Sequence, residues 1–273
     1  RRAFDALASQ VFGLSFEDWY AAGYWTASNL PYTLFDGDTA LANVSVNRLT
    51  VLLQGRRRHY IQLGTVMTHP DYHGMGLSRF LMEWILQNWS DRCDGIYLFA
   101  NDMVLDFYPK FGFLPAEEAQ VFFPSSPQQP IPLRRINPDN PKDRALLIQS
   151  YRRSNPFSAF SMENNEGLLL FYALGPFRHF LYTPPEENAV AILEEDGDTL
   201  FCHELLGEWS GSLFQTLNRL TQPHICKIGL GFTPKDTLPG QIWQPGEDHL
   251  FVLGKKENPF AARKLVFPLI SHA

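Results

Sequence analysis

The sequence predicts an α+β fold, a mixture of helices and strands in two successive halves, each built on a mostly antiparallel sheet flanked by helices. Three observations predict it. Strand-like runs at 32–35, 41–53 and 60–67 form a meander whose first turn is Asp36-Gly37, a dipeptide that supplies the positive φ a tight hairpin needs. Directly afterwards the apolar period lengthens, with Leu77, Phe80, Leu81, Trp84 and Ile85 falling at helical spacing. Beyond a proline-rich stretch, the order of helices, meander, helix and strand recurs.

The elements follow in order. Phe4, Leu7, Ala8 and Val11 place a helix over 3–12, and Ser15 with Glu17 and Asp18 starts a second. The meander ends at His69-Pro70, because proline has no amide hydrogen for a ladder. The amphipathic helix runs towards Trp89, a buried strand spans 95–100, a short helix spans 102–108, and Phe111-Gly112-Phe113 returns into a last strand. Prolines crowd 124–141, where Ser-Ser-Pro-Gln-Gln-Pro-Ile-Pro has linker composition, and divide the chain into 1–127 and 128–273. The second half reads as a helix at 143–151, strands at 179–183, 189–194 and 199–206, a helix at 212–220 and a strand at 226–232. The Asp-Gly-Asp-Thr shared at Asp36 and Asp196 is hairpin chemistry rather than a repeat by itself.

Composition narrows the function. The formal net charge of -6 is spread over both halves, so nucleic acid is not a favoured partner. The one basic cluster, Arg56, Arg57, Arg58 and His59, reads as a solvated hairpin turn. Cys93, Cys202 and Cys226 are too scattered for a disulfide framework or a zinc site, and no metal is expected. No apolar run approaches the roughly 20 residues of a membrane span, and no signal-peptide core opens the chain. A cytoplasmic protein is expected. The chain opens on Arg1 rather than Met, so the reading allows for residues ahead of it.

The informative stretch is a strand, a short loop His73-Gly74-Met75-Gly76-Leu77-Ser78, then an amphipathic helix. Two glycines let successive amide hydrogens converge on an anion at the positive end of a helix, and a diphosphate is the natural guest. Taken alone, the pair is equally an ordinary strand-to-helix turn. A P-loop would need a Lys after Gly76, and a dinucleotide fold would need a third glycine after the first strand of a parallel series.

The loop, preceded by the strand at 60–67 and followed by Asn101 and Phe107-Tyr108-Pro109-Lys110-Phe111-Gly112-Phe113, resembles the GCN5-related N-acetyltransferase (GNAT) superfamily over nearly all of 1–127. The resemblance implies a central, mostly antiparallel twisted sheet flanked by helices, followed here by a second, degenerate GNAT-like α+β domain with a structural or cleft-covering role. It implies acetyl-CoA as cosubstrate, with residues His73, Gly74, Met75, Gly76, Leu77 and Ser78 around its pyrophosphate. His73 stands where the family has Gln or Arg, and Met75 offers no cation. The resemblance lays pantetheine along Val66, Met67 and Thr68, with the Met67 amide polarising the thioester carbonyl. It makes Asn101 an anchor of the pantetheine arm or of the following helix, and Tyr108 the acid for the departing thiolate. Without the motif, Tyr108 would be a half-buried aromatic and Val66 and Met67 plain core residues.

A general base is not evident, since Gln62 stands on the strand where many relatives carry Glu. Water, Asp102, His69, His59, a carboxylate of the second half and the carboxylate of Ala273 are the alternatives. In the second half, His203 and Glu204 lie on opposite faces of one strand. The acceptor is expected to be a small-molecule or peptide amine, and the resemblance leaves room for a homodimer. The rival readings are a non-catalytic acyl-CoA binder or sensor and a protein-interaction module using the aromatic segment 19–25, whose rings could equally pack the core or line an acceptor pocket.

Overall fold

The structure is a computed structural model describing residues 1–185, 188–246, 248–254, 258–261 and 263–272. Helices α1 (Arg2–Phe12) and α2 (Glu17–Ala21) precede strands β1 (Asn29–Asp36), β2 (Thr39–Leu53) and β3 (Arg56–Thr68). Then come α3 (Leu77–Trp89), β4 (Gly95–Ala100), β5 (Leu114–Ala116), β6 (Ala119–Pro124), β7 (Arg134–Arg135), α4 (Pro141–Arg152), β8 (Phe160–Glu163) and α5 (Glu166–Leu174). The chain continues through β9 (Leu181–Thr183), β10 (Ala189–Asp196), β11 (Thr199–Gly207), α6 (Leu213–Leu220), β12 (Lys227–Leu230), β13 (Ile242–Pro245) and β14 (His249–Leu253). No helix among the described residues is long and apolar enough to cross a membrane.

Two sheets result, and the cut at 127/128 does not separate them. The first runs β1-β2-β3-β4-β14-β5, with β8 added along β2. The second runs β13-β6-β12-β11-β10-β9-β7. In the first, β3 and β4 are parallel and the other neighbours antiparallel. Starting from β9, the second repeats this scheme, with β11 and β12 the parallel pair. Strand β6 leaves the first half to lie between β12 and β13, and β14 leaves the second half to lie between β4 and β5. Each half therefore hands a strand to the other's sheet.

Two local readings change. The β2–β3 turn is Gln54-Gly55, both at positive φ, so Arg56, Arg57, Arg58 and His59 already belong to β3. Arg57 pairs with Glu163 of β8. The stripe of α3 is also narrower than its spacing suggests: Leu81, Met82 and Ile85 are buried, whereas Phe80 and Trp84 stay exposed and Trp84 packs on Tyr32. Cys93, Cys202 and Cys226 are free thiols. His203 pairs with Glu194, while Glu204 takes the amide of Asn155.

At the junction of the sheets, Glu118 accepts the amide hydrogen of Phe267 at 2.6 Å. Asp248 and His272 bring their ligand-type atoms within 4.8 Å of it. Burial first, and the Asp248 charge after the opposing Phe267 bond, push the Glu118 carboxyl up to about 8.

Two predictions follow from this arrangement. Residues 1–127 expressed alone should lack the ordered first sheet, and co-expression with 128–273 should restore it, as read by circular dichroism and amide dispersion. Because folded Glu118 holds its proton up to about 8 while the unfolded carboxyl loses it near 4.5, its contribution to stability is full below that lower value and is lost as pH rises towards 8. Glu118→Gln should flatten urea midpoints between pH 5 and 8.5, raising stability at the upper end by on the order of a few kcal/mol.

Candidate active site

A bulge opens the first sheet. Between Asn43 and Ser45 the β2–β3 register shifts, and Thr65 takes φ 43, a left-handed angle rare for a β-branched residue. Asn43, fully buried, donates to the Thr65 carbonyl at 3.0 Å and to Ser45 Oγ at 3.1 Å, and Thr65 Oγ1 donates to Ser45 Oγ at 2.6 Å. Strands β3 and β4 pair only over Tyr60–Gln62 and Gly95–Tyr97. Beyond that they part, and a cleft of about 1250 Å³ lies between the arms.

Val66, Thr68, His73, Gly74, Met75, Gly76, Leu77, Ser78, Asn101 and Tyr108 all line this cleft. Met67 does not, because strand alternation turns its side chain into the core beneath α1, with Phe4, Leu7 and Ala8. His73 is extended, and its Nε2–H donates to the Thr68 carbonyl at 3.0 Å, which braces the loop against the end of β3. Thr68 and Ser78 hydroxyls meet at 2.5 Å, a second brace. Asn101 Oδ1 accepts from the Met103 amide and caps the turn at 102–104.

The glycines do the rest. Gly74 at φ 79 and Gly76 at φ 76 have open space where a side chain would stand, and the first turn of α3 has no side-chain cap. Its amide hydrogens are thus left for a ligand, at the positive end of the helix dipole. The equivalent turn of the second half is closed. A Cβ on Gly207 would lie 2.3 Å from the Asn188 carbonyl, and Ser212 and Gln215 form a complete capping box on α6.

Arg79 and Lys110 also line the cleft. The loop pattern gave neither a role: Arg79 lies inside the helix, and Lys110 comes from the turn at 108–111, which lines the same cleft. Tyr108 is 5% exposed, packed against Phe107, Phe113 and Phe251 of the incoming β14, and burial pushes its hydroxyl up to about 12.

Residues 2–116 match the model of the acetyltransferase (GNAT) domain. This segment is a GNAT acetyltransferase domain. Solved structures extend the likeness in fold over 93% of the chain. A conserved protein of Enterococcus faecalis described as a probable N-acyltransferase shares 14% identity over 70% of its own length, with TM-score 0.60. Eis1 from Mycobacterium abscessus shares 15% over 71%, with TM-score 0.60, and a GCN5-related N-acetyltransferase from Anabaena variabilis shares 15% over 70%, with TM-score 0.57. No curated protein matches the sequence closely enough to count as a relative.

Among the base candidates, Asp102 pairs with His249 at 2.7 Å, and neither it nor His69 lines the cleft of the GNAT domain. His59 lines a separate groove at the far end of β3. Asp248, from the second half, is the one carboxylate among the described residues that does line it. Ala273 lies outside the described residues.

Replacing Gly76 by Val tests the loop geometry. The side chain meets no neighbour, so only the left-handed backbone opposes it. Chemical denaturation should show a loss of about 1–2 kcal/mol.

Proposed function

We propose that this protein transfers an acetyl group from acetyl-CoA to a primary amine by direct attack within a ternary complex. The observation that carries the reading is the uncapped N-terminus of α3, which opens onto the same cleft as Tyr108. Amides of residues 74–78, with Arg79 and Lys110, hold the pyrophosphate, and their charge makes up for His73 and Met75. The arm between β3 and β4 carries the pantetheine past Val66 and Thr68. The Met67 amide is itself paired with Asn43 of β2, so the flanking Val66 and Thr68 amides, on the opposite edge of β3, stabilise the negative charge that the thioester carbonyl oxygen gains as the amine nitrogen bonds to the carbonyl carbon. When the carbon–sulfur bond breaks, Tyr108 gives its proton to the sulfur, and the amine's surplus proton leaves through water or Asp248 to restore the neutral phenol. Burial of Tyr108 supports this role, because a hydroxyl pushed up to about 12 keeps its proton at working pH. The second half we read as a degenerate copy of the same unit, supported by its repeated pairing scheme and closed helix terminus.

Calorimetry with acetyl-CoA should show binding that Gly74→Trp abolishes and Arg79→Ala weakens about tenfold. Tyr108→Phe should retain binding while thiol release with an amine falls about 100-fold or more. Binding with no acceptor-dependent thiol release would favour the sensor reading, and absence of binding would sink both.

A further inference from the structure

A second cavity, of about 350 Å³, adjoins the cleft on the side of α1 and α2 and shares Phe12, Leu63, Gly64 and Phe99 with it. A molecule held there faces the point where β3 leaves β4. Its wall is aromatic. Trp19 and Trp25 stand 5.2 Å apart between centroids, Phe16 lies 5.9 Å from Trp25, and Phe171 of α5 closes the box at 5.8 Å from Trp19. Both indole N–H groups are bonded to backbone carbonyls, Trp19 to Gly167 and Trp25 to Asn29, so the rings offer only their faces and edges.

Uncharged polar residues also line it, among them Asn29, Asn47, Gln62, Asn165, Tyr172 and His272. Asn29 Oδ1 and His272 Nε2 are sealed from solvent and have no partner among the described residues. Their hydrogen-bond roles follow from their neighbours. Asn47 donates through Nδ2 to the Gln62 carbonyl, so its Oδ1 receives the Asn29 Nδ2 hydrogen at 2.5 Å and Asn29 Oδ1 is left without a donor. Burial pushes the His272 imidazole down to about 3 and keeps it neutral. With the ring proton on Nδ1, which lies 3.8 Å from Asp248 Oδ2, Nε2 keeps a lone pair. No Asp, Glu, Lys or Arg is among the residues lining the cavity.

Unpartnered buried acceptors are costly, and a ligand N–H that reaches either one on binding offsets that cost. We propose that this cavity is the acceptor subsite and selects a primary amine carried on one aromatic or aliphatic group, in preference to polycationic amines. The inference rests on the acyltransferase reading above. Aromatic faces attract the ammonium form on entry and bury its carrier. The further charges of a polyamine would meet no carboxylate there and would be stripped of water uncompensated.

The test uses 2-phenylethylamine, n-hexylamine and spermidine with the whole chain. Calorimetric titration of 2-phenylethylamine without coenzyme should show binding that Trp19→Leu weakens about tenfold, with Trp19→Tyr restoring most of it. Asn29→Leu should weaken it by a similar factor, with thermal unfolding monitored to confirm that β1 is intact. In thiol release with acetyl-CoA, kcat/KM should favour the two monoamines over spermidine by tenfold or more, and Trp19→Leu should raise the amine KM while leaving the acetyl-CoA Kd unchanged. Preference for spermidine, or no detectable binding of 2-phenylethylamine, overturns the assignment. Absence of acetyl-CoA binding refutes the acyltransferase reading instead, and the coenzyme-free titration still decides what the cavity holds.

Discussion

The active-site architecture depends on one local conflict in β3, where Thr65 adopts a left-handed angle and is held there by Asn43 donating to its carbonyl and by its own hydroxyl donating to Ser45. A β-branched residue at such an angle costs about 1–2 kcal/mol, so the bonds must offset it. Strained backbone so well fastened is common where a strand has to be re-aimed. Here it turns β3 away from β4 just beyond Gln62. The loop, the open helix terminus and Tyr108 can face one space only because that divergence exists.

The two halves illustrate how little separates an open helix end from a closed one. Their sheets share one order and one pattern of parallel and antiparallel neighbours. In the first, glycine at the cap position leaves the amides of α3 bare; in the second, Ser212 and Gln215 consume the corresponding donors. A helix that satisfies itself has nothing left for a phosphate. The difference lies in a few side chains at a terminus and not in the fold around it.

Much of this was legible in the sequence because it is local. Asp36-Gly37 and the helical spacing from Leu77 to Ile85 are signals whose cause lies within a few residues. The glycine loop was recognisable for the same reason. Strand exchange was not legible, since nothing in His-Leu-Phe-Val-Leu at β14 states which edge it will join. Helix α5 went unread because Leu168, Leu169 and Leu170 are all buried and leave no period to detect. The segment from Trp19 to Trp25 could be marked as aromatic but not placed, because its closing wall, Phe171, comes from the other half.

The exchange of β6 and β14 also has a temporal meaning during synthesis. After Ala116 has left the ribosome, the slot between β4 and β5 stays empty until His249 and its neighbours emerge. At about 5–20 residues per second the interval is on the order of ten seconds. For that time two strand edges are unsatisfied, and Tyr108 lacks the Phe251 ring it will rest on. The nascent GNAT domain is therefore an incomplete sheet that waits for its own distant tail, and any early stop between those points yields a chain with an open seam.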